Sequence, residues 1–445
     1  MSENFPIYLD YNATTPLHPE VSKVMAATLG TNFFDGNFGN ASSAHFYGNH
    51  AHEVIEDSRN NLAKLLGCKS SELIFTSCGS ESNNIAIFGA CHKFKTMFPS
   101  KTCEIIISCV DHPSVKETCK FASELYDAKI VEIPVNAQGQ IDPHFVLEKV
   151  NENTCLVSIM FANNEIGTLL NVPEVFNLIE NQRKQLNSEF PLLHTDCAQA
   201  IGKVPVKVNF LHCDLLSVAA HKFYGPKGVG ALFIRKDVQI PRTILHGAGQ
   251  ERGLRPGTEN ITGIAGLGKA AEIANNEIIE RLEMQSDFVL SLFNIIKERI
   301  NNKVPIKVNG MLNEHLFNCT FKQVINELIN SEKNYENSNN NENIENLKNC
   351  LMKLGCLPGT LSISFKGLEA MDVVSRLSDK VCTSVGSACH SKCRQMSSIL
   401  AAVGLDECFA FGTFRISVGC GLTKETVIRA ANLLADDILS HLPQQ

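Results

Sequence analysis

The chain has 445 residues, and 44% of them are hydrophobic, which is typical of a packed globular protein. Its formal net charge of −7 argues against a general nucleic-acid binder. No apolar run reaches the roughly 18 residues that a membrane helix needs, and the N-terminal segment has the pattern of neither a signal peptide nor a transit peptide. We therefore expect a cytosolic protein with no nucleic-acid partner and no membrane association.

The 17 cysteines are expected to be thiols, because the cytosol is reducing. Cys389 and Cys393 are four residues apart, but no second pair stands near them, so the spacing predicts no metal site. Cys109, Cys155 and Cys213 lie in apolar runs and are interpreted as small core residues.

Between residues 72 and 235, short β-rich segments alternate with amphipathic helical ones. One predicted helix surrounds SESNNIAIFGACHKF, and the candidate strands are ELIFTS, EIIISC, KIVEIPV, CLVSIMF, LLHTDC, LLSVAA and GALFIR. Apolar strands that alternate with helices favour a sheet covered on both faces. The sequence thus predicts an α/β fold with a mostly parallel, seven-stranded sheet in a large domain spanning residues 16–262.

From residue 263 onward, long helical periodicity predicts a helix or helix pair that leads into a smaller α+β domain, residues 263–445. This domain contains TLSISF, FRISVG and a terminal helix, and residues 1–15 are expected to pack against it. Within an insertion at about 312–355, residues 330–349 are rich in Asn and Glu and poor in apolar side chains. We expect a disordered surface segment there, because such a composition cannot offset the chain entropy; a partner-binding loop is the alternative.

Polar side chains follow five of the candidate strands at the point where each strand ends. In chain order they are Gly79 and Ser80, Asp111 and His112, Asn163 to Glu165, then His194, Asp196 and Gln199, and finally His221 and Lys222. Ligands of open α/β sheets bind beyond the carboxyl ends of the strands. Five such clusters therefore predict one site assembled from several loops.

Each cluster also has a plain structural reading. The Gly79–Ser80 turn could hold a phosphate at a helix N-terminus or simply cap that helix. Lys222 is either a solvated loop residue or a partly desolvated amine that can form a Schiff base. Asp196 needs a cationic partner, unless it caps a helix or accepts buried hydrogen bonds.

Together these groups match the needs of pyridoxal phosphate. The cofactor requires an amine, a carboxylate for its pyridinium nitrogen, a phosphate cradle, a group stacked on its ring and a donor to its phenolic oxygen. In that order, the candidates are Lys222, Asp196, the Gly79–Ser80 turn, His112 and Gln199.

The motifs that carry these residues resemble those of class V aminotransferase-type pyridoxal-phosphate enzymes, in the group of cysteine desulfurases and selenocysteine lyases. The resemblance covers nearly the whole chain outside the insertion, and implies the type I fold of pyridoxal-phosphate transferases. The matching motifs are YLDYNATTPLHPEV, FTSCGSESNN, ANNEIGT, HTDCAQAIGK, HKFYGPKGVGAL, GQERGLRPGTEN, SVGSACHS and FRISVG.

The resemblance implies a role for each candidate at the cofactor. Lys222 would hold it as the internal aldimine, Asp196 would pair with its pyridinium nitrogen, and His112 would stack on the ring and could act as an acid or base. The other cofactor-binding residues implied are Gly79, Ser80 and His221 at the phosphate, Gln199 at the phenolic oxygen, and Asn164 close to cofactor and substrate.

Four further residues receive roles in the same way. Thr258 would reach the phosphate of a neighbouring subunit, which implies a homodimer. Arg415 would bind the substrate carboxylate in a bidentate pair, and Asn40 would also approach the substrate. Cys389 would be the nucleophile or proton donor at the chalcogen.

Four positions depart from the family pattern and bear on the details of phosphate binding. They are Ala41, Cys78, Ala219 and Cys420. The lysine, the aspartate and the cysteine of the pattern are all present.

The prediction of the substrate depends on small sequence differences within these motifs. GQERGLRPGTEN and SVGSACHS, in which His390 follows Cys389, resemble selenocysteine lyases more than housekeeping desulfurases. The resemblance therefore implies conversion of L-selenocysteine to L-alanine and selenide. The alternative is a cysteine desulfurase that leaves a persulfide on Cys389 for an acceptor protein, in iron–sulfur cluster assembly or tRNA thiolation. A catalytically silent binding protein of the same fold is disfavoured because Lys222, Asp196 and Cys389 are all present.

Overall fold

The computed structural model describes residues 5–30, 38–242, 244–386 and 395–441. None of the helices described is long and apolar enough to cross a membrane. All cysteines in the described ranges are free thiols; Cys155 and Cys213 are buried as predicted, whereas Cys109 is only half-buried.

The strands, in chain order, are β1 (Ile7–Tyr8), β2 (Leu73–Thr76), β3 (Cys103–Ser108), β4 (Ala128–Ile133), β5 (Thr154–Ser158), β6 (Leu192–Asp196), β7 (Leu215–Ala219), β8 (Gly230–Ile234), β9 (Ile306–Val308), β10 (Thr360–Phe365), β11 (Val381–Cys382), β12 (Ser384–Val385) and β13 (Thr413–Ser417).

The helices follow in the same order: α1 (Pro19–Ala27), α2 (Phe46–Leu66), α3 (Gly79–Met97), α4 (Pro113–Tyr126), α5 (Pro143–Lys149), α6 (Val172–Leu186), α7 (Val208–Leu211), α8 (Ile261–Asn276), α9 (Ile278–Ile300), α10 (Leu312–Phe317), α11 (Phe321–Asn337), α12 (Asn341–Leu354), α13 (Ala370–Arg376), α14 (Ser398–Ala402), α15 (Glu407–Ala410) and α16 (Lys424–Ser440).

The predicted strands form one seven-stranded sheet in the order β2-β8-β7-β6-β5-β3-β4. Only β8 pairs antiparallel to its neighbours, so the other six strands run in one direction. The α/β fold and the mostly parallel sheet are therefore confirmed, and six carboxyl ends meet at one edge.

Both faces of this sheet are buried. Leu73 and Phe75 of β2 point into one apolar cluster, whereas Ile74 between them belongs to a second cluster on the opposite face. Side chains of a strand alternate between faces, so helices must cover both sides. Helices α3 and α4 pack against the second face.

A smaller antiparallel sheet, in the order β12-β13-β10-β9, lies in the C-terminal part of the chain. Next to it, β1 pairs in parallel with β11, with Ile7 opposite Val381. The helix pair predicted around residues 262–300 is α8 and α9, and α9 packs against the terminal helix α16. The domain boundary between residues 262 and 263 stays a prediction.

The expectation of a disordered insertion is wrong. Residues 330–349 cover the polar end of α11, the connection after it and the polar start of α12. The apolar residues of the two helices lie mostly on either side of that window, at helical spacing, and are buried: Phe321, Val324, Ile325, Leu328 and Ile329 in α11, and Leu347, Leu351 and Leu354 in α12.

Polar contacts also fix the insertion to the large domain. Lys207 Nζ lies 3.9 Å from Glu332 Oε1 and 5.0 Å from the centre of the Tyr335 ring. Burial raises the pKa of Glu332 to about 7. A segment that buries a carboxylate against a lysine is part of the folded core rather than a free loop.

We expect Leu328→Ala to lower the free energy of unfolding by about 2–5 kcal/mol, because its side chain is fully buried and truncation leaves a cavity. Leu186→Ala is the matched control, since Leu186 is 70% exposed and should change stability by less than about 0.5 kcal/mol. Urea unfolding followed by circular dichroism measures both. Equal midpoints for the two variants would show that α11 does not pack as described.

Candidate active site

A cavity of about 250 Å³ opens at the carboxyl edge of the large sheet. It lies beyond the ends of β2, β3, β5, β6 and β7, where the sequence predicted an assembled site. Eight predicted site residues line it together: Gly79, Ser80, His112, Asn164, Asp196, Gln199, His221 and Lys222.

Lys222 lies in a 3₁₀ turn that follows directly on β7. Its Nζ donates hydrogen bonds of 2.8 Å to the carbonyl oxygens of Asn12 and Ala13. Burial, and secondarily the charge of Arg415, lower the pKa of Lys222 to about 8. A substantial fraction of the amine is therefore neutral and nucleophilic near physiological pH.

Asp196 is the last residue of β6 and is 7% exposed. Asn83 Nδ2 donates to its Oδ2 at 2.9 Å, and the Ala198 amide donates to its Oδ1 at 2.9 Å. A carboxylate can accept about four hydrogen bonds, so capacity remains for a donor in the cavity. Of its two plain readings, the buried hydrogen bonds are present, whereas none of the described helices begins directly after it; its side chain also lines the cavity.

His112 caps the N-terminus of α4. The Ser114 amide donates to Nδ1 at 3.1 Å, so Nδ1 acts as an acceptor and a neutral ring carries its proton on Nε2. Burial lowers the pKa of His112, which favours this neutral form. Asn83 Nδ2 also donates to Ser114 Oγ at 2.9 Å. The same amide therefore contacts Asp196 directly and His112 through the Ser114 hydroxyl.

The N-terminus of α3 borders the cavity through Gly79 and Ser80. Cys78 Sγ caps the helix by accepting from the Glu81 amide at 3.4 Å. A Cβ placed on Gly79 would lie 3.2 Å from Cβ of Ala219, so the turn and β7 approach too closely for a larger residue. The positive end of the helix dipole and the small residues of this turn make this edge suited to an anion.

Gln199 and His221 are both held by the N-terminal segment. Gln199 Nε2 donates to the Asn12 carbonyl at 2.9 Å, and His221 Nδ1 lies 3.1 Å from Thr14 Oγ1. Burial, followed by the charge of Lys222, lowers the pKa of His221 to about 4, so this imidazole is neutral at pH 7.

Three predicted residues lie outside the cavity lining, and one lies outside the described residues. Arg415 of β13 donates from Nη2 to Asp10 at 2.7 Å and from Nη1 to the Asn164 carbonyl at 3.3 Å. It therefore adjoins the cavity through Asn164. Asn40 and Thr258 are exposed, and neither lines the cavity. Cys389 falls in the range 387–394, which the structure does not describe.

Four residues at the site received no role from the sequence: Asn12, Asn83, Ser114 and Lys203. Asn12 and Asn83 lie in motifs that carried the resemblance, but nothing in their spacing shows that they bridge predicted site residues. Lys203 stands four positions after Gln199, and the pattern QAIGK resembles a solvated helix end. The spacing of four was a usable signal, because such side chains can lie on the same side of a helical turn.

A family model described as "Aminotransferase class-V" matches residues 7–334 of the chain. The chain belongs to the class-V aminotransferase family. These enzymes depend on pyridoxal phosphate, so the predicted family, enzyme class and cofactor are confirmed.

Named relatives agree with this placement. The chain is 36% identical to a "Cysteine desulfurase IscS" from Dictyoglomus turgidum, over 94% of this chain and 91% of the relative. A solved structure described as "NIFS-LIKE PROTEIN" matches with a TM-score of 0.78 at 31% identity, covering 98% of this chain and 100% of that one. Another, described as "SspA in complex with cysteine", has a TM-score of 0.67 at 28% identity, with coverages of 93% and 99%.

The cavity residues fit pyridoxal phosphate on grounds of their own. An amine of lowered pKa, a buried carboxylate and a helix N-terminus face one space. In addition, Asn164 Oδ1 is buried and has no hydrogen-bond partner among the described residues, as expected of a group that binds a ligand.

The pKa of Lys222 can be measured in cofactor-free protein. The rate at which a small neutral reagent acylates Lys222 should rise to half its maximum near pH 8, because the amine loses its proton as the pH passes through its pKa. Peptide mass spectrometry gives the rate at this single lysine. Arg415→Gln should move the midpoint upward, since the Arg415 charge lowers the pKa of Lys222. A midpoint at the ordinary lysine value of 10.5 would contradict the desolvation.

Proposed function

We propose that this enzyme is a cysteine desulfurase, which releases L-alanine from L-cysteine and leaves the sulfur on Cys389. The observation that carries the proposal is the cavity in which Lys222, Asp196 and His112 converge. The substrate class is supported by the names of the relatives, which are described as cysteine desulfurases or as bound to cysteine. They favour the alternative reading of the sequence over selenocysteine as the main substrate.

Each cavity residue receives one role in this proposal. Lys222 would hold pyridoxal phosphate, Asp196 would accept from its pyridinium nitrogen, and His112 would cover its ring. Gly79, Ser80 and His221 would hold the phosphate, Gln199 would donate to the phenolic oxygen, and Asn164 would contact cofactor and substrate. When bound, the cofactor supplies an electron sink for charge that develops at the substrate α-carbon.

Lys222 is suited to moving the α-proton once the substrate amine has displaced it. A base works best when its pKa lies near the working pH, and the pKa of Lys222 is about 8. His112, with its proton on Nε2, presents a second group that can give or take a proton at the cavity.

Arg415 would bind the substrate carboxylate. Its Nη2 donates to Asp10, but its buried Nε has no hydrogen-bond partner within the part of the chain that the structure describes. A carboxylate that approaches this side would satisfy Nε and share the charge of the guanidinium. Asn40 would contribute from the exposed rim of the substrate path.

Cys389 would act as the sulfur acceptor. Its thiolate attacks the substrate sulfur, the bond between that sulfur and the β-carbon breaks, and the electron pair of that bond remains with the carbon fragment. Two protons then convert this fragment to alanine, and the sulfur stays on Cys389 as a persulfide. A sulfur acceptor protein or a reductant must remove it before the next turnover.

Selenocysteine lyase activity is the second candidate. The favouring observation is the sequence SVGSACHS, in which a histidine directly follows Cys389. In that reaction the carbon–selenium bond breaks, its electron pair stays with the carbon fragment that becomes alanine, and an external thiol would reduce the released selenium to selenide. Cys389 would only protect or protonate the selenium. In either case we propose a homodimer, in which the exposed Thr258 reaches the cofactor phosphate of the neighbouring subunit.

The ratio of kcat/KM for L-cysteine and L-selenocysteine separates the two candidates, with alanine as the measured product. A desulfurase should turn over L-cysteine at a comparable or higher kcat/KM. Cys389→Ser should then lower kcat with L-cysteine by about 10³-fold or more, because the nucleophile is lost. Strong preference for L-selenocysteine, retained in Cys389→Ser, would overturn the desulfurase and support the lyase. Cys408→Ser is the control, since Cys408 is exposed.

Lys222→Ala should abolish both turnover and the absorbance near ~420 nm that bound pyridoxal phosphate gives with a lysine. Lys236→Ala, at an exposed lysine, should retain both. Absorbance spectra of the purified proteins with added cofactor give the answer. A wild-type protein that shows no such band would contradict the proposed function, and an unchanged band in Lys222→Ala would contradict the role of that lysine.

A further inference from the structure

We infer that Lys203 is a positioning residue, which holds the side chain of Gln199 in the orientation needed to donate to the cofactor. This inference rests on the proposed function, because it concerns the contact between Gln199 and the phenolic oxygen of pyridoxal phosphate. Lys203 itself does not line the cavity.

Lys203 is a buried amine with an unusual set of partners. The residue is 6% exposed, and its Nζ donates hydrogen bonds of 2.8 Å to Gln199 Oε1 and to Asn12 Oδ1. Among residues within the described ranges, no carboxylate forms an ion pair with it. Burying an amine without a counter-charge is costly, so an apolar residue would be cheaper if this position only filled space.

The hydrogen bond from Lys203 fixes which way the side-chain amide of Gln199 is oriented. An amine that donates to Oε1 keeps the amide oxygen on the side away from the cavity. The Nε2 group then faces the other way, where one N–H donates to the Asn12 carbonyl and the second has no partner among the residues described. Gln199 lines the cavity, so that second N–H is the donor that the phenolic oxygen requires.

Asn12 anchors the same network from the opposite side. Its Nδ2 donates to Thr360 Oγ1 at 3.0 Å and to the Asn164 carbonyl at 3.2 Å, and its amide N–H donates to Ser417 Oγ at 2.9 Å. These bonds leave its Oδ1 turned toward Lys203. Without the amine, Oδ1 of Asn12 and Oε1 of Gln199 would both lose a donor in a buried place, and Gln199 would move to regain one.

Lys207 shows the contrast within the same stretch of chain. It is equally buried, at 5% exposed, but donates to the Leu65 carbonyl and lies near Glu332, away from the cavity. Two buried lysines four residues apart therefore have different surroundings, and only Lys203 contacts a residue that lines the cavity.

Lys203→Met tests the inference, because methionine fills a similar volume and donates no hydrogen bond. The readout is the pH titration of the ~420 nm band of the holoenzyme. A hydrogen bond from Gln199 stabilises the deprotonated phenolic oxygen, so its loss should raise the apparent pKa of the band by about one unit. Lys207→Met is the matched control and should leave the apparent pKa of the band unchanged.

A double-mutant cycle separates positioning from the plain effect of a lost charge. Gln199→Leu should raise the apparent pKa by itself, and adding Lys203→Met to it should then change little, because the amine acts through Gln199. If Lys203→Met does not fold, Lys203→Gln with and without Gln199→Leu gives the same comparison. A shift that adds in full, or an unchanged band in a folded Lys203 variant, would overturn the inference. A wild-type protein without the band would instead contradict the proposed function.

Discussion

The active site depends on the partial desolvation of the Lys222 amine. The hydrogen bonds from Nζ to the backbone carbonyl oxygens of Asn12 and Ala13 hold the amine in place. Burial is the largest cause of its lowered pKa, and the positive charge of Arg415 is the second. Both effects disfavour the charged ammonium, which is the form that cannot act as a nucleophile or base. Lys222 follows β7 and Arg415 lies in β13. The lowered pKa of Lys222 therefore depends on how these two strands are placed relative to each other.

The short N-terminal segment contacts both Lys222, after the large sheet, and Arg415, in the small sheet. Its β1 adds a strand to β11, next to the small sheet. A few residues later, Asp10 pairs with Arg415 of β13, and Asn12 contacts Thr360 of β10. Asn12 also contacts residues that follow strands of the large sheet, since it accepts hydrogen bonds from Lys222 and Lys203. The segment therefore does more than pack against the small domain, since it fixes side chains from both domains around one cavity.

The sequence predicts the large sheet well because most of its strands are buried on both faces and are therefore largely apolar, whereas only the edge strand β4 is partly exposed among the seven. Residues such as Lys222 and Asp196 stand out for the same reason, as polar groups directly after apolar strands. The insertion failed this reasoning because the composition of residues 330–349 is dominated by the solvated ends of α11 and α12, whereas the buried stripe lies mostly outside that window. Asn12 was missed because its contact with Lys203 spans 191 residues, which no local spacing reveals, whereas Lys203 could have been found from its spacing of four to Gln199.

Contacts between distant parts of the chain also explain why the site tolerates so many buried polar groups. Asn83, Asn12 and Lys203 line little or none of the cavity, yet each donates to two partners around it. A donor shared in this way fixes which atom of a neighbouring amide or carboxylate faces the ligand, and a buried hydrogen-bond network of this kind is costly to rearrange. The orientation of the side chains that line the cavity is therefore fixed by a second set of polar groups behind them, Asn83, Asn12 and Lys203.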